Sequence, residues 1–369
     1  ADDFGSFGFL RHWAAGKHAK GATRSVYNWE NNNYAGEIEE APETYNVIGN
    51  MNEYQLTITE TTFGGRAELV DSTGLLDYGS LIYITLQRAK TAKEAIGVMT
   101  NLIDKYGYNS EGESFTIADK NEAWVMDLIG KGTGRKGAVW VAVRVPDDCI
   151  CAHANQSRIR RFPLRDKENC LYSKDVISFA REKGYFKGKK DSDFSFADAY
   201  APADFSALRF CEARVWSFFN RYVDGMEKYL PYASGENPQA EPMPLFEHGR
   251  MPLRGNTIQG VLLRLLHHST HHFLQHLRII RNISDEIENK IEFAVTNKSL
   301  VNMFSLLKSL TYYESATSAN QLLLLKLKND ANKIGFNEEE LDFLDDITVE
   351  NKQCDNLAGI YAGILTGMS

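Results

Sequence analysis

The 369-residue chain is 43% hydrophobic and 24% charged, the composition of a folded protein long enough for two domains that each bury a core. A formal net charge of −8 argues against a general nucleic-acid binder, and no run reaches the ~18 apolar residues a membrane span needs. Cys149, Cys151, Cys170, Cys211 and Cys354 are odd in number and include no CxxC pair, which disfavours a disulfide framework.

Up to about residue 245 the chain alternates short strand-like runs with turns. LTITETTF (56–63), SFTIAD (114–119), AWVMDLIG (123–130) and AVWVAVRV (138–145) are rich in β-branched and aromatic residues and bounded by Gly, Asp or Asn. Between the first two, residues 80–107 read as two amphipathic helices broken near Thr91, which caps the second with Glu94 three residues on. KGTGRKGA (131–138) lacks the GxxxxGK[ST] pattern of a phosphate loop and reads as a hairpin turn. Residues 236–256 concentrate Pro, Gly and polar residues, as a linker or long loop does.

After residue 257 the pattern turns helical and no Pro remains. Leu274, Leu277, Ile280, Ile283, Ile287 and Ile291 suggest one buried face, interrupted at Asn297, Lys298 and Ser299. A second helix is expected over about 300–328, and NEEELDFL (337–344) opens a third with a capping Asn and an acidic first turn.

Two side-chain groupings bear on chemistry directly. Cys151 and His153 share one face of a likely strand, a spacing that permits a Cys/His pair; with no oriented third group, a half-buried thiol beside a strand histidine is the plainer reading. In HHSTHHFLQH, His268 and His272 stand four apart on one helix side, as zinc ligands can, but HExxH is not formed and a solvated histidine stripe is favoured.

YNVIGNMNEYQLTITETTFGGR, GESFTIADKNEAWVMDLIGKG, GAVWVAVRVPDDCICAHANQSRI and ALRFCEARVW together resemble the PepD-type dipeptidases, N-terminal-nucleophile cysteine hydrolases related to penicillin V acylase and bile salt hydrolase. The resemblance covers residues 1–245 and implies an α+β fold, a four-layer αββα sandwich, with a dipeptide as substrate and no cofactor. It implies a thiol nucleophile whose own α-amine takes the proton. It places oxyanion donors at Asn155 and at a backbone N–H near Glu60 or Thr61. Asp2 matches an acidic residue that holds the ammonium or orients the thiol, and Arg214 matches a buried arginine that lowers the thiol pKa. The nucleophilic Cys falls before the position matched by Asp2, so the chain as written is expected to be inactive.

SLVNMFSLLKSLTYYESATSANQLLLLKL and EEELDFLDDITVENKQCDNLAGIYAGILTGMS resemble the cytoplasmic helices of CorA-type magnesium transporters over residues 259–369, with 246–258 as the junction. This implies a helical hairpin and stalk helix, homo-oligomers, and magnesium held by acidic residues such as Glu338, Glu339, Asp342 and Asp345. A solvated helix face is the plainer reading of those carboxylates. The two resemblances describe a hydrolase domain joined to a transporter-like helical fragment. Dipeptidase is the label its chemically specific residues support; a metal-sensing or assembly module with an inert first half is the alternative. The hydrolase half is compatible with the cytoplasm or with export, and the helical half with the cytoplasmic side of a membrane.

Overall fold

The computed structural model describes residues 15–29, 31–248, 257–293 and 297–367. The protein is mixed α/β, sheet-rich first and helical second. It divides into one unit that runs to Arg250 and another that begins at Met251.

The first unit is built on a seven-stranded antiparallel sheet of β1 (Val47–Ile48), β2 (Met51–Asn52), β3 (Thr57–Gly64), β4 (Gly112–Ala118), β5 (Ala123–Gly130), β6 (Ala138–Arg144) and β7 (Cys170–Tyr172). The strands of this sheet are arranged in chain order, with the Ile150–Cys151 strand, which pairs elsewhere, falling between β6 and β7 in the sequence. β5 and β6 pair from Gly130↔Ala138 to Trp124↔Arg144, which makes KGTGRKGA the hairpin turn its sequence suggests. The period-two pleat sends alternate residues to opposite faces. Trp124, Met126 and Leu128 of β5 join one core cluster with Phe115, Ile117, Ala138 and Ala142, while Val125, Ile129, Val139 and Val141 join another. Full burial of each large side chain among these contributes about 1.5–3 kcal/mol.

Helices cover both faces. On one side lie α1 (Tyr78–Leu86) and α2 (Ala92–Tyr106); on the other lie α3 (Val176–Glu182) and α4 (Phe196–Tyr200). Every residue of α1 from Gly79 to Leu86 is buried, so this helix is not the amphipathic one expected from sequence. An element enclosed on all sides needs no polar face. Its start is fixed by Asp77, which accepts from Ser80 N at 2.9 Å and from Trp29 N at 3.0 Å.

α2 is amphipathic and begins at the expected cap, with Thr91 accepting from Glu94 N at 3.3 Å. The Glu94 carboxylate reaches back one residue further than a reciprocal box requires and accepts from Lys90 N at 2.9 Å. Thr91→Ala is expected to cost about 1 kcal/mol and lower the thermal midpoint of the first unit. An unchanged midpoint would mean that the Lys90–Glu94 bond alone holds the helix start.

Among the described residues, three small strand pairs accompany the sheet: Gly16–Lys17 with Glu43–Thr44, Thr23–Tyr27 with Tyr34–Glu39, and Ile150–Cys151 with Phe246–Glu247. After a π-helical turn over Ala207–Glu212, α5 (Ala213–Tyr222) packs Val215 and Phe219 against Met226, Tyr229 and Met243.

The second unit contains α6 (Ile258–Phe293), α7 (Asn297–Asn329) and α8 (Glu338–Gly367); α7 packs on α8, and α8 on α6. Leu277 and Ile280 face the core, but Ile283 is exposed and Ser284 is buried in its place. Steps of three residues drift by ~60° on a helix, so 283 stands opposite 274 and the true stripe moves on by four. Ile287, Ile291 and most of the expected 246–258 junction lie outside the described side chains. Asn337 caps α8 as expected: it accepts from Glu340 N and donates its own N–H to Glu340 Oε2, both at 2.9 Å.

Candidate active site

Among the described residues, β3 has one paired edge and one largely open edge. Its residues 57–64 run along β4, whereas β2 meets it only at Met51↔Thr57. Ile58 shows which way the open edge points, since its N–H donates to Asn50 O at 3.0 Å and its carbonyl accepts from Asn50 Nδ2 at 2.8 Å. Backbone groups alternate sides along a strand, so Glu60 and Thr62 turn theirs to the open edge and Thr61 turns its own to β4. The Thr62 carbonyl on that edge accepts from Asn155 Nδ2 at 2.8 Å.

Asn155 is exposed and sits in the left-handed region at φ 57°, which Asn tolerates better than most residues. Its Oδ1 accepts from Arg214 Nη2 at 3.0 Å, and the same nitrogen donates to Ala154 O at 3.0 Å. The structure therefore brings together Asn155, Arg214 and the Glu60–Thr62 stretch. Arg214 is exposed rather than buried as expected: it lies on the outer side of α5, with Nε donating to Phe210 O at 2.6 Å. Asp2 lies outside the described residues.

The chain around Asn155 is anchored by groups that the sequence reading did not single out. Asp127, 1% exposed on β5, accepts from Ser114 Oγ at 2.6 Å, Ser157 Oγ at 2.7 Å, and the N–H groups of Arg158 and Ile159 at 3.1 Å each. Arg158, itself buried, pairs with Glu212 at 3.0 Å and donates to the carbonyls of Ala152, Met243 and Pro244. Glu212 is two residues before Arg214, so this pair ties the Asn155 segment to the helix that carries its partner. A charge in the apolar run AWVMDLIG was the one available signal for Asp127.

Glu60 and Thr61 have different surroundings. Thr61 Oγ1 bonds to His153 Nδ1 and Thr116 Oγ1 to His153 Nε2, both at 2.7 Å. Both ring nitrogens are thus engaged, and desolvation holds the imidazole below its usual pKa. Cys151 ends its short strand and its thiol is pushed up to about 12 by burial, so it is neither paired with His153 nor primed as a nucleophile. Glu60 turns to the other sheet face, where burial and the Glu60 carboxylate push Glu113 up to about 10.

A carboxyl whose folded pKa is raised binds a proton that the unfolded chain has lost. Stability from Glu113 is therefore full below its ordinary pKa and declines as pH rises toward about 10. Glu113→Gln keeps the neutral shape and is expected to flatten the urea-unfolding stability profile between about pH 5 and about pH 9. An unchanged slope would show that Glu113 does not retain its proton.

A hollow of about 360 Å3 opens beside this edge, lined in part by Phe63, Gly65, Arg66, Gln156 and Asp204. Gly65, at φ 78°, is required there: a Cβ would come within 2.7 Å of Ile129 and 3.0 Å of Tyr200 O. Arg66 is held by Ala199 O at 2.7 Å and lies 3.8 Å over the Tyr185 ring.

In the second unit the expected metal residues do not converge into a three-ligand set among the described residues. Glu338, Glu339, Asp342 and Asp345 are exposed on the first turns of α8, and Asp345 pairs with Lys328 at 2.6 Å. His268 and His272 are exposed on α6, while His276, next in the stripe, bonds Tyr313 Oη at 2.8 Å.

A model of peptidase family C69 matches residues 18–273. The chain is 29% identical over 179 residues to a probable dipeptidase of Salmonella dublin, covering 46% of this chain and 39% of that protein. It is 24% identical over 217 residues to a probable dipeptidase of Latilactobacillus sakei, covering 58% and 42%. A probable dipeptidase B of Streptococcus pyogenes serotype M6 is 30% identical over 124 residues, covering 33% and 23%. The chain thus spans about two fifths of the length of the first two relatives.

Proposed function

This chain belongs to peptidase family C69, and from that premise we propose that its first unit is the core of a dipeptidase using an N-terminal cysteine nucleophile. The observation that carries the reading is the Thr62–Asn155–Arg214 chain on the open edge of β3. Asn155 Nδ2 has two N–H groups and spends one on Thr62 O, which leaves the other for an oxyanion. The Glu60 N–H, on the same edge, supplies the second donor. Arg214 holds the amide oxygen and so fixes which way the N–H groups point, while Asp2 is assigned to the nucleophile's ammonium. The thiol attacks the peptide carbonyl, its α-amine takes the proton and then delivers it to the leaving amine. The neighbouring hollow is assigned to a dipeptide side chain.

The four-layer αββα arrangement is part of this proposal. The Ile150–Cys151 and Phe246–Glu247 pair supports it, because Cys151 and Phe246 pack toward the sheet's second core while Ile150 packs toward the α5 cluster. That pair is the start of the second sheet in this reading. The test is thiol-dependent hydrolysis of a dipeptide panel by the chain extended with a segment beginning in cysteine, against the same extension beginning in alanine. Equal rates for the two, or none, would remove the assignment.

For the second unit we propose an assembly role. Leu265, Val301, Phe304, Leu322 and Val349 are exposed on α6, α7 and α8, more apolar surface than a solitary bundle needs. Sedimentation of residues 257–369 with and without magnesium tests it; a monomer under both conditions would sink this reading.

A further inference from the structure

Cys149 and His248 are 99 residues apart in the chain yet face each other. The pairs Ile150↔Glu247 and Cys151↔Phe246 set an antiparallel register that, continued by one residue, puts Cys149 directly opposite His248. Asp148, next in the chain, turns its carboxylate to the same point. Cys149 Sγ lies 3.7 Å from His248 Nδ1 and 3.7 Å from Asp148 Oδ1, and His248 Nδ1 lies 3.3 Å from Asp148 Oδ2.

A nucleophilic triad uses one imidazole nitrogen for the nucleophile and the other for the acid. Here a single nitrogen, Nδ1, faces both sulfur and carboxylate, so the ring cannot relay a proton between them. A thiol, an imidazole nitrogen and a carboxylate oxygen that all lie within 4.8 Å of one another instead describe a ligand shell. Zinc bond lengths of about 2.0–2.3 Å at tetrahedral angles put neighbouring ligand atoms about 3.3–3.7 Å apart, a spacing met by the sulfur–imidazole pair and, through a different carboxylate oxygen for each, by Asp148 with both of them. Asp148 and His248 are exposed, so a fourth position opens to water.

We propose that Asp148, Cys149 and His248 form a binding site for one borderline divalent cation of the zinc type, outside the machinery assigned to peptide hydrolysis. Thiolate, imidazole and carboxylate favour zinc or cobalt(II) over magnesium or calcium, which prefer all-oxygen shells.

The full chain titrated with cobalt(II), followed by displacement with zinc, tests this. The thiolate-to-cobalt absorption band reports cysteine ligation alone, so the α6 histidines do not contribute to it. A band that saturates at one equivalent is expected, abolished in Cys149→Ser, weakened at least about tenfold in affinity in His248→Ala and in Asp148→Ala, and unchanged in Cys211→Ser. Far-UV circular dichroism confirms that each variant is folded. No band in the parent chain, a band that survives Cys149→Ser, or undiminished affinity in His248→Ala overturns the proposal.

Discussion

Asp127→Ala is expected to remove about 3–5 kcal/mol from the first unit, taking roughly 1–3 kcal/mol for each of at least two buried donors left without an acceptor. The carboxylate is 1% exposed and serves four donors, two hydroxyls and two backbone N–H groups, from β4 and from residues 157–159. Water cannot replace it without entering the sheet–helix interface. Against a total stability of about 5–15 kcal/mol, this one change approaches the unfolding threshold. Ser114→Ala removes a donor rather than the shared acceptor and is expected to cost only about 1 kcal/mol. Asp127→Asn falls between them, because its amide keeps one acceptor and turns a second donor toward donors already present. Urea unfolding of the three variants orders them. If Asp127→Ala unfolded no more easily than Ser114→Ala, the carboxylate would not be the anchor of the Asn155 segment.

That anchor also shows what could be read from residues alone. β5 and β6 were legible because burial on both faces produces nearly continuous apolar runs, and the turn between them carries glycine. The Thr23–Tyr27 and Tyr34–Glu39 hairpin was not, since each strand contributes a single core residue, Val26 and Ile38, and the alternation is too short to stand out. Leu274, Leu277 and Ile280 announced a helix, but extending the same three-residue step to Ile283 ran round to the solvent side.

The site divides in a similar way. Asn155 and Arg214 were reached through resemblance, and nothing local marks them as partners. The Arg158–Glu212 pair and the Cys149–His248 juxtaposition depend on tertiary register, which one sequence does not display. The exposure of Arg214 follows from its place on α5: Val215 and Phe219 take the inward positions, so Arg214 must turn outward.

In the cysteine-bearing chain, Asn155→Ala is expected to lower kcat for a dipeptide by about 10²–10³-fold with little change in KM, the loss typical of one preorganised oxyanion donor. The amide acts where charge develops in the transition state, so its removal does not weaken binding of the ground state. The lost hydrogen bonds themselves should cost little stability, because Asn155 is exposed and water can reach the Thr62 carbonyl and the Arg214 guanidinium it leaves.

The backbone supplies a control. Asn155 sits at φ 57°, where alanine costs roughly 1–2 kcal/mol and glycine adopts the angle freely. If the amide is the catalytic group, Asn155→Gly loses as much rate as Asn155→Ala; if backbone strain is the cause, glycine restores it. Arg214→Lys separates positioning from charge. It keeps the cation but loses the planar guanidinium, whose Nε is anchored on Phe210 O while Nη2 donates to both Ala154 O and Asn155 Oδ1, so kcat should fall by a smaller factor than in Asn155→Ala. Steady-state rates for the three variants decide the matter: full activity in Asn155→Gly would transfer the oxyanion role from this side chain to the Glu60 edge of β3 alone.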